Sequence, residues 1–313
     1  KVEQSLAGSK SSLSIAVITI NMSNSDPTAA AEGHTEEVKW TDDKIRWDED
    51  SAGDKNAEVE EDEGPTFDPF KDPDPHEIFS FRYPHPGTTK SVVDGSTQSI
   101  EIELHGYKYE SDQIWQSTGL TLWKASRLLC SYLVDHHEIL EGKRILELGA
   151  GLGLCGILAH QLGSLCNSNN ASSDINTKVE VLMTDGDTDV LAQLRENIER
   201  NTDNKFGSIA CCQLLWGSET SKNFLERYGC GKTFDVLLAA DIVYSPIIIQ
   251  PLWETVQTLL NRTTGIFVLA YTQRDLKVSI GDVLSAAQEA GFLFEGPEDN
   301  SEGIYIFRWK DSA

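Results

Sequence analysis

The sequence predicts an α/β protein built on a doubly wound, mostly parallel sheet, with an antiparallel hairpin at its end and a β extension in front. Three observations carry this. From residue 143 to 290 short apolar strands alternate with helical stretches, the pattern of a parallel sheet covered on both faces. Glycines 149, 151 and 153 follow the first of these strands at once, before an apolar helix-like run from Leu154 to Leu162. The chain then finishes on Phe292-Leu-Phe-Glu, a polar turn and Gly303-Ile-Tyr-Ile-Phe-Arg-Trp, which reads as an antiparallel pair.

Taken in order, residues 1–77 read as a disordered acidic tail. Between Glu32 and Glu77 there are 18 acidic against 5 basic residues, too few apolar groups to offset the entropy of ordering. Trp40, Ile45 and Trp47 stand out there, incidental or a short docking motif. Met22-Ser-Asn-Ser-Asp-Pro has the look of an ordinary start, which reads residues 1–21 as a translated leader or an error of the gene model. Ile78–Tyr83 and Ser99–His105 alternate apolar and polar residues about a Val92-Val93-Asp94-Gly95 turn, predicting a β-hairpin. The folded domain is therefore placed at 78–313, with its core at 120–313. Leu122, Trp123, Ala125, Ser126, Leu128, Leu129, Tyr132 and Leu133 recur at helical spacing, so a helix precedes the first core strand, Ile145–Leu148. Residues 164–178, rich in Asn and Ser, read as a surface insertion. Val179–Thr184 is the second strand, followed by a helix capped by Asp187 or Thr188. Ile209–Leu215, Phe234–Ala240 and Gly265–Tyr271 give three more strands. Helices are predicted over 246–261 and 276–290, the latter closed by Gly291.

Bulk properties narrow the function. The chain has 313 residues, 39% of them hydrophobic, and a formal net charge of −24, which disfavours a nucleic-acid backbone and either fits a basic protein or a cationic small molecule or serves solubility alone. The six cysteines contain no C-x-x-C pair, so neither a metal centre nor a disulfide framework is expected. Ser12–Ile20 is too short an apolar run to span a bilayer. A soluble monomer in the cytoplasm, with the nucleus also open to it, is the expectation.

Chemistry in such a sheet belongs beyond the carboxyl ends of the strands. The glycine turn there admits two readings, Glu147-x-Gly149-x-Gly151-x-Gly153 and the dinucleotide fingerprint Gly151-x-Gly153-x-x-Gly156. In the dinucleotide case the first glycine should close the strand, but Gly149 and Ala150 intervene, which favours the first. Strand two ends at Asp185, placed to accept the hydroxyls of a ribose; a helix cap is its other reading, a task that Asp187 already serves. Trp216 follows strand three, either against an adenine or as core. Ala240-Asp241-x-x-Tyr244 follows strand four, and a helix cap ahead of Pro246 is the other reading of Asp241.

Together with Gly119-Leu-Thr-Leu-Trp123, these residues resemble methyltransferase family 16, the seven-strand S-adenosylmethionine-dependent group made up largely of protein-lysine methyltransferases. The resemblance covers roughly residues 98–310. It implies a Rossmann-like seven-strand sheet and S-adenosylmethionine contacts from Trp123, Glu147, Gly149, Ala150, Gly151, Asp185, Trp216 and Ala240. It places Asp241 and Tyr244 at the methyl acceptor, with Asp241 holding the ammonium of a substrate lysine and Tyr244 walling the channel. No metal is implied. Asp-Ile-Val-Tyr differs from the Asn/Asp-Pro-Pro-Tyr type used on planar amides. Arginine, histidine or a small molecule as acceptor, a nicotinamide-dependent oxidoreductase, and a binding module without turnover remain the alternatives.

Overall fold

The computed structural model describes residues 74–85, 99–168, 179–202, 208–273 and 278–312. Trp40 and Trp47 of the tail, the 92–95 turn and most of the 164–178 segment lie outside them.

Strands β1 (His76–Pro84) and β2 (Ser99–Tyr107) pair antiparallel over their whole length, from His76 opposite Tyr107 to Pro84 opposite Ser99. The two predicted strands pair, the first starting just before Ile78. Its alternation puts Ile100, Ile102 and Leu104 into the core. Helix α1 (Asp112–Gln116), a 3-10 turn at Thr118–Leu120 and helix α2 (Lys124–Asp135) follow. Ala125, Leu129, Cys130 and Leu133 of α2 are buried.

The main sheet holds β3 (Arg144–Leu148), β4 (Glu180–Asp185), β5 (Ser208–Gln213), β6 (Val236–Ala240), β7 (Ile266–Tyr271), β8 (Phe292–Glu295) and β9 (Gly303–Trp309). Their order is β5-β4-β3-β6-β7-β9-β8. The first five run parallel, whereas β9 is antiparallel to both β7 and β8. The sheet reverses direction of winding between β3 and β6, and β3 is wholly apolar apart from Arg144 and Glu147 because both its faces are covered. Helices α3 (Leu154–Ser168), α4 (Thr188–Asn201), α5 (Ser218–Arg227), α6 (Ile249–Leu259) and α7 (Ile280–Glu289) make the crossovers. Two apolar clusters, one on each face, fill the space between helices and sheet.

Differences from the predicted elements have local causes. Helix α3 runs on into the segment read as an insertion, to Ser168. Helix α5 was not expected. The strand predicted to reach Leu215 stops at Gln213, leaving Leu214-Leu215-Trp216 in the loop beyond it. The helix predicted from 246 begins with a 3-10 turn at Pro246–Ile248.

Two asparagines one turn apart on α4 fasten β2. Asn197 accepts from His105 N (2.9 Å) and donates to His105 O (3.1 Å) and Leu152 O (3.1 Å). Asn201 accepts from Glu103 N (2.9 Å) and donates to Glu103 O (2.7 Å). Side-chain amides thus complete the outer ladder of β2, where bare strand groups would need other partners. Through Leu152 the same contact ties the hairpin to the glycine turn.

Candidate functional site

The glycine turn leaves β3 with three residues in the left-handed region, Gly149 (φ 64°), Gly151 (φ 54°) and Gly153 (φ 93°). Here glycine is required, since a side chain at such φ is strained. Space matters as well. A Cβ on Gly149 would lie 2.8 Å from Ile242 Cγ2 and 3.8 Å from the Trp216 ring, and one on Gly151 would lie 3.2 Å from Gly119 O. The turn therefore joins the 118–120 segment on one side and the loop after β6 on the other.

Most of its amides are already paired. Ala150 N donates to Thr184 O (2.8 Å) and Gly153 N to Ala150 O (2.9 Å). Gly151 N donates to Asp185 Oδ2 (3.1 Å), and Gly156 N, in the first turn of α3, to Glu147 Oε2 (2.9 Å). A dinucleotide pyrophosphate would need these N–H groups for itself. Their engagement, with the antiparallel β9 in the sheet, weighs against the dinucleotide reading.

Asp185 ends β4 with its other oxygen accepting from Asp187 N (3.1 Å). Backbone N–H groups of Gly151 and Asp187 fix the carboxylate, and that of Gly186 faces it as well. Burial pushes the Asp185 pKa up, opposed by N–H donors from Asp187, Gly151 and Gly186. Helix α4 takes its cap from Asp187, which accepts from Asp189 N, so Asp185 is not the cap.

Glu147 points toward the helix that follows the turn, where it accepts from Gly156 N. It is 2% exposed, beneath the start of α3, and supports the glycine turn from behind. Burial raises its pKa to about 8, against the opposing Gly156 N–H. Between its ordinary value of 4.5 and about 8, the folded protein keeps a proton that the unfolded chain has lost. Stability should fall as pH rises through that window and level off above it. The expected result is a loss on the order of a few kcal/mol between pH 5 and pH 8, in urea unfolding, that is absent in Glu147→Gln.

Trp123 stands at the N-terminus of α2. Its Nε1 donates to Thr118 O (2.8 Å) and its ring meets Tyr109 edge-on, centroids 5.6 Å apart. Trp216 packs partly buried on the second core cluster beside Gly149. Ala240 is the half-buried last residue of β6. Sequence reasoning missed two neighbours. Leu215, 58% exposed, has Cδ2 only 3.4 Å from where a Gly186 Cβ would stand, next to Asp185. Tyr109, 62% exposed, backs Trp123. An apolar side chain left in water at a strand end was the available signal for Leu215.

Beyond β6, Asp241 is a non-glycine residue at φ 57° and only 8% exposed. Its Oδ1 accepts from Thr272 Oγ1 (2.6 Å), after β7, and its Oδ2 from Ala125 N (3.0 Å), in the first turn of α2. Asp241 thus pins three elements together. Both oxygens of the carboxylate thus have partners within the protein. Tyr244, 49% exposed, lies on the loop that Asp241 anchors.

A cradle that a Cβ would fill, a fixed acid at the β4 end, and aromatic and apolar side chains beside both suit the methionine, ribose and adenine parts of S-adenosylmethionine. Among the described residues no cluster of His, Cys, Asp or Glu could hold a metal ion, and no helix is long and apolar enough to cross a membrane.

Comparison with known proteins agrees with this geometry. The family described as lysine methyltransferase matches residues 108–288. Protein-lysine N-methyltransferase EFM3 of Chaetomium thermophilum is 29% identical over 64% of this chain and 56% of its own length. Protein N-lysine methyltransferase METTL21A of Danio rerio is 30% identical over 54% of this chain and 69% of its own. EEF1A lysine methyltransferase 3 of Xenopus tropicalis is 31% identical over 47% and 55%. The chain thus spans between about half and two thirds of the length of these relatives. Among solved structures, a SAM-dependent methyltransferase from Agrobacterium tumefaciens is 13% identical over 66% of this chain and 67% of that one, with a TM-score of 0.41, a likeness too distant to carry weight.

Proposed function

The chain belongs to the lysine methyltransferase family, and from that premise and the geometry of the site we propose that it methylates a lysine of a protein partner with S-adenosylmethionine. The observation that carries the reading is one of placement. Gly119, Trp123, the 147–151 turn, Asp185, Trp216 and the 240–244 segment all fall within the matched residues, and the fold gathers them at one end of the sheet.

S-adenosylmethionine brings a methyl group already activated on a sulfonium, so the protein has to align a neutral amine, exclude water and bind. Asp185 would accept the ribose hydroxyls, Leu215 and Trp216 would cover apolar surface, and the glycine turn would let backbone lie against the methionine part. A lysine amine arrives protonated and must lose its proton, to water, before it can attack. Asp241 would hold α2, β6 and β7 at the spacing the acceptor needs, and Tyr244 would wall its path. The net charge of −24 directs the reading toward a basic protein, and away from nucleic acid or a membrane. A monomer working in the cytoplasm belongs to the same reading.

The test is transfer of labelled methyl from S-adenosylmethionine to proteins in a cell lysate, with Gly149→Arg as control. A discrete labelled protein band, yielding methyl-lysine on hydrolysis and missing from the control, is expected. Label confined to small molecules would overturn the protein acceptor.

A further inference from the structure

Two carboxylates stand at the acceptor end of the sheet, and they differ in what holds them. Asp241 is 8% exposed, with Thr272 Oγ1 and Ala125 N on its two oxygens. Glu302, just before β9, accepts from Gln273 N at Oε1 (3.0 Å) and from Lys124 Nζ at Oε2 (2.7 Å). The Lys124 side chain is 73% exposed and that of Glu302 39%.

The two acids are linked by adjacent residues along two paths. Lys124 precedes Ala125, whose N–H binds Asp241, while Gln273 follows Thr272, whose hydroxyl binds Asp241. Glu302 therefore closes a ring over the start of α2 and the end of β7. The Lys124 ammonium, with the Gln273 amide, holds its carboxyl below the usual carboxylate range, so it is charged at neutral pH. An exposed pair contributes little to stability, because water solvates the released ammonium nearly as well. Lys124 can thus give way to another cation, which the donors on Asp241 cannot.

We propose that Glu302 is the specificity-determining acid of the acceptor site: it receives a cationic side chain of the substrate segment, and Lys124 occupies that place as an internal competitor until the substrate arrives. This rests on the lysine-methyltransferase reading above. It selects protein segments in which the target lysine arrives with positive charge, and it explains why a lysine of the enzyme already stands at this carboxylate.

The experiment is the initial rate of labelled methyl transfer to lysate protein, as a function of lysate concentration, for the wild type, Glu302→Gln and Lys124→Ala. Glu302→Gln should raise the half-saturating concentration ~10-fold at low salt and flatten its salt dependence. Lys124→Ala should lower it ~3-fold, since the competitor is gone. Opposite signs are the signature, because a pair that only supported the fold would weaken acceptor use in both variants. Titration with S-adenosylmethionine checks that the shifts lie with the acceptor. Shifts of the same sign, or none, in variants of a labelling wild type overturn the assignment of Glu302 alone. A wild type that labels no protein removes the lysine reading and this one with it.

Discussion

Gly149→Arg should weaken S-adenosylmethionine binding at least ~100-fold, in titration calorimetry, while the far-ultraviolet circular dichroism of the domain is kept. Strain comes first: at φ 64° any side chain costs about 1–2 kcal/mol. The new Cβ would also stand 2.8 Å from Ile242 Cγ2, closer than carbon atoms approach without repulsion, and Ile242 is buried next to Asp241 with little room to move. Beyond Cβ the arginine must run out past the Trp216 ring, 3.8 Å away, through the space a ligand would need. Gly149→Ala separates these effects. It keeps the strain and the Ile242 contact but leaves the space beside Trp216 open, so a smaller loss, ~10-fold, is expected, through the shift of the turn that relieves the strain of about 1–2 kcal/mol. Equal binding in both variants would mean that the glycine turn does not touch the ligand.

The sheet was legible because its strands are unusually clear. Ile145, Leu146 and Leu148, or the Val236–Ala239 run, are apolar on both faces, which only a covered parallel strand allows. Helix α5 was illegible for the opposite reason. It starts after Gly217 at φ 141° with no side-chain cap, and of its apolar residues only Phe224 is buried, so neither a start signal nor an apolar stripe marks it. At the candidate site, the positions of Gly149, Gly151, Asp185 and Trp216 beyond the strands were legible because strand ends and turns announce them. Asn197 and Asn201 could not, since two polar residues on a helix look solvated until a hairpin edge 92 and 98 residues away supplies their partners. Glu147 shows a middle case. A lone acid inside a buried strand had to mean something, but whether it faced the ligand or the following helix depends on which side of β3 it points.

Asp241 is where position and partners diverge most, and the sharpest test lies there. Asp241→Ala would strand the Ala125 N–H and the Thr272 hydroxyl, both within the protein, at roughly 1–3 kcal/mol for each buried group left without a partner. It would also put a residue less suited than Asp at φ 57°. The expected result is a lower melting temperature together with a kcat reduced ~100-fold or more, since displacement of α2 and of the 241–248 loop by about 1 Å suffices to misalign an in-line transfer. Asp241→Asn decides the cause. Asparagine tolerates the left-handed region and keeps one oxygen to accept from Ala125 N or Thr272 Oγ1, but it carries no charge. If Asp241 acts by positioning, Asp241→Asn should recover most of the stability and bring kcat to within ~10-fold of the wild type, a residual barrier of about 1.4 kcal/mol. If the charge itself handles the ammonium, Asp241→Asn should be as inactive as Asp241→Ala although it folds. The hydrogen bonds of 2.6 and 3.0 Å to Thr272 and Ala125 favour the first outcome, because a carboxylate already holding two elements in place has its geometry to lose before its charge.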